Sequence, residues 1–265
     1  GAWQRNIETF DSPFATGLHG DAYRVQHPTA GTIASNLIRN ATNHMDLPGD
    51  WWNDRVERGA IRLSDAIGQD ANDPATTFEQ QPFRVGPYGP HEDHAGSLLL
   101  LLLAPIGIAL ALVRVLRGRL RTSDAAWQLG VLGIVLAQVL LFAALITWQN
   151  WHARLHLPML VLLVPPLIAL LDTRRWRWLL VFAVAVSVAT APVALFGNVN
   201  RPLVGDDSIL THSRTHVLFN PRPQLEEPYR AALQRMTDTG VREAGIVSSV
   251  DEWQYPLIWL GLRAD

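Results

Sequence analysis

Cysteine is missing from all 265 residues of this chain, and with it go disulfides, thiolate-held zinc and thiol nucleophiles. Lysine is missing too. All 22 basic residues are arginine, which reads as the codon bias of a GC-rich bacterial genome rather than as chemistry. Neither charge sign is in excess: the net charge of −2 leaves no strongly basic surface of the kind that draws nucleic acid. There is no Walker loop, Rossmann fingerprint, Gly-x-Ser-x-Gly or HExxH string, so nothing points to an ATPase, a dehydrogenase or a serine hydrolase. Internal repeats are absent as well.

Long apolar runs, by contrast, are abundant. Four of them cover Ser97–Leu116, Trp127–Trp148, Leu155–Leu171 and Trp178–Phe196, each about long enough for a ~30 Å hydrocarbon core. Arginine marks their borders unevenly. The connector after the first run carries Arg114, Arg117, Arg119 and Arg121, and the one after the third carries Arg174, Arg175 and Arg177. The turn between them, Gln149–Arg154, has only Arg154. The positive-inside rule therefore puts both rich connectors in the cytoplasm and both long polar segments outside. A multi-pass protein of the bacterial cytoplasmic (inner) membrane is expected, with its N- and C-terminal segments extracytoplasmic. The chain starts at Gly1 without Met and stops just after the apolar run Tyr255–Leu262, so it reads as a piece of a longer protein.

The expected fold class is mainly α. Residues 97–196 form a bundle of four transmembrane helices, 1–96 an extracytoplasmic helical and loop segment, and 197–265 a small, incomplete α/β domain. Within the first segment the spacing predicts a helix over Thr32–Met45, with Ile33, Leu37, Ala41 and Met45 on one face. A second helix is predicted over Trp51–Ile67, capped by Asp50, with Trp52, Val56, Leu63 and Ile67 together. These two either pack on each other or lie in the membrane surface. Residues 69–90 read as loop. Pro158 and the pair Pro165-Pro166 predict a kink or interruption in the third span, and Gln138 is the polar amide in the middle of the second. Beyond Phe196, a helix over Glu226–Thr239 ends at Gly240, an apolar strand follows over Glu243–Val250, and Asp251 caps a last helix.

Two clusters are candidates for chemistry. His91-Glu92-Asp93-His94 sits three residues before the first span, where it can cap the membrane boundary, hold a divalent cation or meet a phosphate-bearing head group. Its spacing is not a zinc signature. No motif requires a cofactor, and Glu92 and Asp93 are the candidate ligands should Mg or Mn be used. The second cluster is the outer turn Trp148–Pro158. Trp148 and Trp151 read as an interfacial aromatic belt, and Arg154 is flanked by His152 and His156. Arg154 can pair bidentately with a phosphate or simply snorkel at a helix end. His19, Asp21, His27 and His44 are scattered outside any motif, and the sequon Asn40-Ala41-Thr42 falls on a predicted helix.

Arg154-Leu155-His156-Leu157-Pro158, followed by Pro165-Pro166-Leu167, resembles the Arg-Tyr-x-x-Pro start of a late transmembrane helix in polytopic GT-C glycosyltransferases of the mannosyltransferase and aminoarabinose-transferase type. The His91–His94 cluster before a Leu-rich span is similar to their outer loops. The resemblance implies transfer of a sugar from a polyprenyl-phosphate carrier to a cell-envelope glycan, lipid or protein on the outer face of the membrane. It makes Arg154 the donor-phosphate ligand, with His152, His156, His91, Glu92, Asp93 and His94 as neighbours. Leu155 stands where the family has tyrosine, and the family's catalytic carboxylate in the first outer loop has no counterpart in 1–96. The chain thus resembles the C-terminal portion, with the base expected upstream. The alternatives are a transporter or flippase built on a broken third span, and a non-catalytic sensor or assembly protein.

Overall fold

The computed structural model describes residues 4, 7, 8, 22–86, 89, 91, 96–118, 122–241, 243–247 and 253–262. The chain divides into two compact units, Gly1–Thr190 and Ala191–Asp265. Both are helical among the described residues, and neither contains a β-strand there.

The first unit opens with helix α1, Ala30–Thr42. It starts two residues earlier than the periodicity predicts, because Thr29 and Thr32 form a reciprocal capping box. Its most buried face is not the apolar one. Thr32, Ser35, Asn36, Arg39 and Asn40 are buried, while Ile33 and Leu37 are half-exposed. Helix α2, Asp50–Ala66, packs beside it, with Ser35 Oγ 3.1 Å from Ser64 Oγ across the contact. The predicted Asp50 cap is corrected: Gly49 is the cap residue at φ 116°, a conformation glycine takes without strain, and Asp50 lies inside the first turn. On α2 it is Asn53, Ala60 and Ser64 that are buried, whereas Trp51, Leu63 and Ile67 face outward.

Helices α3 (Leu98–Leu116), α4 (Thr122–Leu145) and α5 (Leu157–Leu171) carry the apolar runs. Among the described residues, three helices are long and apolar enough to cross a membrane, the third counted from Asn150 through a 3₁₀ segment, Asn150–His156, into α5. Helix α6, Arg177–Phe196, follows; its apolar stretch, Arg177–Val193, is shorter. Leu103, Ala111, Leu132, Val135, Leu163, Leu167 and Leu170 form the shared core of α3–α5. On the outer side Leu102, Leu112, Ile134, Leu141 and Val161 each stay more than half exposed. Such a belt is costly in water and at ease against hydrocarbon. Despite Pro165 and Pro166, α5 runs through as one helix, which corrects the predicted interruption. At its end Arg114 of α3 donates to the Leu170 carbonyl at 2.6 Å, satisfying one of the acceptors a helix terminus leaves open.

The second predicted span is also displaced: α4 ends at Leu145, and the chain turns extended. Val25 N–H donates to the Leu145 carbonyl and Thr147 N–H to that of Tyr23; Trp148 N–H reaches Thr76 and Phe78 N–H reaches Trp148. These bonds bind the end of α4 to the segment that precedes α3. Trp148 is consequently fully buried, edge-on to Phe83 at 4.9 Å and next to Ala60 and Ala71. It is a core residue packed with Ala60, Ala71 and Phe83 rather than part of an interfacial belt. Trp151 remains exposed.

In the second unit, helices α7 (Arg214–Phe219), α8 (Glu226–Asp238) and α9 (Gln254–Gly261) pack through Phe219 on Tyr229 and Trp253, whose indole N–H donates to the Leu218 carbonyl. Gly240, at φ 66°, closes α8 as expected. The predicted strand does not form where the chain is described: residues 243–247 are irregular and Val247 is fully exposed. A lone strand has no neighbour to take its backbone hydrogen bonds. Residues 248–251 lie outside the described residues.

Candidate functional site

A cavity of about 260 Å3 lies in the first unit between α1 and helices α3–α5. Its walls are apolar, supplied by residues such as Leu100, Ala104, Val135, Val139, Met159 and Leu163. One group of lining residues is different: Asn40, His44 and His156. Asn40 comes from the last turn of α1, His44 from the turn that follows, and His156 from the 3₁₀ segment between the second and third apolar runs. Phe142 of α4 presses edge-on against both His152 and His156, with centroids 4.8 and 4.7 Å away.

The hydrogen bonds fix which atoms carry protons. Ser97 N–H, a donor only, points at His44 Nδ1 at 3.2 Å, so this nitrogen accepts and the His44 proton sits on Nε2. His44 Nε2 then donates to His156 Nδ1 at 2.9 Å, which leaves His156 with its proton on Nε2. Burial lowers the His44 pKa from 6.5 to about 4, so the ring is neutral at pH 7 as this chain of bonds requires. Gly96 makes the approach of Ser97 feasible: a Cβ there would stand 2.7 Å from the Asn43 carbonyl oxygen and 2.9 Å from Asp46 Oδ1. In parallel, His152 Nδ1 donates to Asn40 Oδ1 at 3.0 Å. That leaves Asn40 Nδ2 and His152 Nε2 buried without a partner. The polar end of the cavity thus holds one buried N–H donor, Asn40 Nδ2, that no protein acceptor takes, beside the Nε2–H of His156.

Beside Asn40, Arg39 is fully buried. It donates to the Ala71 carbonyl, Thr77 Oγ1 and Thr76 Oγ1 at 2.8–2.9 Å and to Asn36 Oδ1, all uncharged groups. Burial lowers its pKa from 12.5 to about 10, with Asp73 and Asp70 pulling the other way, so it stays a cation at neutral pH. A buried positive charge with neutral partners favours an anion in this region.

Of the residues singled out from the sequence, His152 and His156 come together, with ring centroids 6.0 Å apart, and both are buried. Arg154 lies between them in sequence but on the exposed side of the same 3₁₀ turn. His91 is half-buried, with its ring 6.1 Å from that of Trp151. Glu92, Asp93 and His94 lie outside the described residues. The sequence reading passed over Asn40 and His44. Their signal was present as the polar stripe Asn36, Arg39, Asn40, His44, whose spacing places one face of α1 and its extension against a neighbour. In the second span, Gln138 Oε1 is buried without a partner. No protein family, curated protein or solved structure matches this chain.

Proposed function

We propose that this chain is part of a membrane glycosyltransferase that takes a sugar from a polyprenyl-phosphate carrier on the outer face of the bacterial cytoplasmic membrane. One observation carries the reading: an apolar cavity among membrane-length helices ends at a buried N–H donor, Asn40 Nδ2, that lacks a protein acceptor, beside the Nε2–H of His156. A hydrocarbon chain fits the walls, and a phosphate oxygen fits the donors. Asn40 Nδ2 and His156 Nε2 bind the head group, Arg39 supplies positive potential from behind, and Arg154 meets the outer part of the donor. α6 completes a four-span topology, with both polar segments outside.

In this scheme the departing phosphate gains negative charge as the glycosidic bond breaks, and preorganised donors in a dry site stabilise it. His44 is a positioning residue. With its pKa near 4 it is too weakly basic to take the acceptor's proton at neutral pH, and its bond to His156 aims the Nε2–H. The base belongs to another part of the enzyme. The unbroken α5 removes the feature on which a transporter reading rested.

The test is photo-crosslinking and equilibrium binding of undecaprenyl phosphate to the chain in nanodiscs. Ala104→Trp, which fills the cavity, should abolish crosslinking. Asn40→Ala should weaken binding about tenfold or more, the scale of one hydrogen bond to a charged group. The same lipid without phosphate should bind more weakly and ignore Asn40→Ala. Unchanged affinity for the phosphate in folded Asn40→Ala and Ala104→Trp proteins would sink the reading.

A further inference from the structure

The second unit contains a separate constellation. Between residues 198 and 220 the chain is wound tightly by short-range bonds. Asn198 Oδ1 accepts from Asn200 N–H and Arg201 N–H at 2.9 Å, and Ile209 N–H donates to the Pro202 carbonyl. Ser208, almost fully buried, donates to the Leu203 carbonyl at 2.6 Å, and its own carbonyl accepts from His212 N–H. Ser213 then caps α7 by accepting from His216 N–H. This winding holds Asp207, His212 and His216 together. His216 Nε2 lies 3.2 Å from Asp207 Oδ1, and the two imidazoles stack at 4.2 Å with 29° between their planes. One ligand atom from each of the three residues falls within 4.8 Å of the others.

We propose that Asp207, His212 and His216 bind a Zn2+ ion. Two imidazole nitrogens and one carboxylate oxygen are a borderline donor set that suits zinc better than Mg or Mn, which prefer oxygen. At bond lengths of about 2.0–2.2 Å, tetrahedral ligand atoms stand about 3.4 Å apart. Binding therefore draws the three side chains closer together by rotation about their χ angles. Each lone pair lies in its ring plane, so the two stacked rings must turn toward each other for their nitrogens to face one ion. The three side chains are partly exposed, which gives the ion a route in and leaves a fourth position to water. In the metal-bound state the site ties the loop at Asp207 to α7, and binding displaces the proton that Asp207 and His216 share. The site is independent of the glycosyltransferase reading.

The test uses the full chain in detergent, with any affinity tag removed, and Zn2+ in competition with a chromophoric chelator. One equivalent should bind. It should be lost, or weakened at least tenfold, in His212→Ala, His216→Ala and Asp207→Asn. His91→Ala should leave it unchanged, and Mg2+ should not compete. Carbethoxylation mapped by mass spectrometry guards against misfolded variants, because Zn2+ should protect His212 and His216 of the unmodified sequence. Stoichiometric binding that survives the His212→Ala/His216→Ala double variant would overturn the proposal. So would unprotected histidines at saturating zinc, or the absence of a binding equivalent.

Discussion

At the scale of single residues, part of the pH behaviour follows from two groups in the turn after α1, the buried His44 and the half-buried Asp46. The folded-state pKa of His44 is lowered to about 4 from 6.5, so between these values the unfolded chain binds the extra proton and the folded one does not. Stability should therefore rise with pH across that window, and acid should remove at most about 3 kcal/mol. Asp46 acts in the opposite sense. Burial raises its pKa from 3.8 to about 6, with a backbone hydrogen bond opposing, so its contribution is complete below 3.8 and fades as pH rises through 6. The measurement is thermal unfolding followed by tryptophan fluorescence from pH 4 to 7. His44→Asn should flatten the acid loss, and Asp46→Asn should steepen it. If neither variant changes the slope, the assignments are wrong. Neither residue stood out in the sequence. His44 is one histidine among several until Ser97 and His156, from distant segments, make it a link between a backbone N–H and the cavity.

At the scale of elements, helix packing supplies a second prediction. Gly107 on α3 faces Leu167 of α5 so closely that a Cβ would overlap the leucine side chain. Small residues at such crossings let membrane helices approach and gain dispersion contacts. Gly107→Ala should cost about 1–3 kcal/mol by overpacking, and Leu167→Ala should recover part of that loss in the double variant. Gly130 and Gly133 on α4 serve as controls, since nothing lies within 4 Å of a Cβ there. Gly130→Ala and Gly133→Ala should leave the melting temperature unchanged or raise it. The helices themselves were legible because each apolar run is long and uninterrupted by charge. Their ends were less so. α4 stops short at Leu145 because Thr147 and Trp148 bond through their backbones to Tyr23, Thr76 and Phe78, and no local pattern announces a partner 70 or more residues away. The strand expected over Glu243–Val250 shows the converse: an apolar stretch suggests a strand, yet pairing decides whether one forms.

At the scale of the whole molecule, orientation can be tested in the cysteine-free background that the chain provides. The arginine asymmetry predicts that Arg117→Cys and Arg175→Cys are shielded from a membrane-impermeant maleimide in intact cells and react after permeabilisation. Trp51→Cys and Glu227→Cys should react from outside, since both positions are exposed. The reverse pattern would invert the topology and move the polar end of the cavity to the cytoplasm. A cytoplasmic Glu227 alone would remove α6 from the set of spans.

Membrane residence, helical class and the approximate position of the apolar helices were determined by the sequence itself. A bilayer acts on each segment separately, and about 20 apolar residues suffice for a span. The cavity, its polar end and the place of Trp148 were decided only by tertiary structure. Each depends on groups far apart in the chain, as in the Asn36 amide on the Ala143 carbonyl at 2.8 Å and the His44–His156 pair. Hydropathy is a property of a stretch of chain, whereas an unpartnered donor is a property of everything that surrounds it.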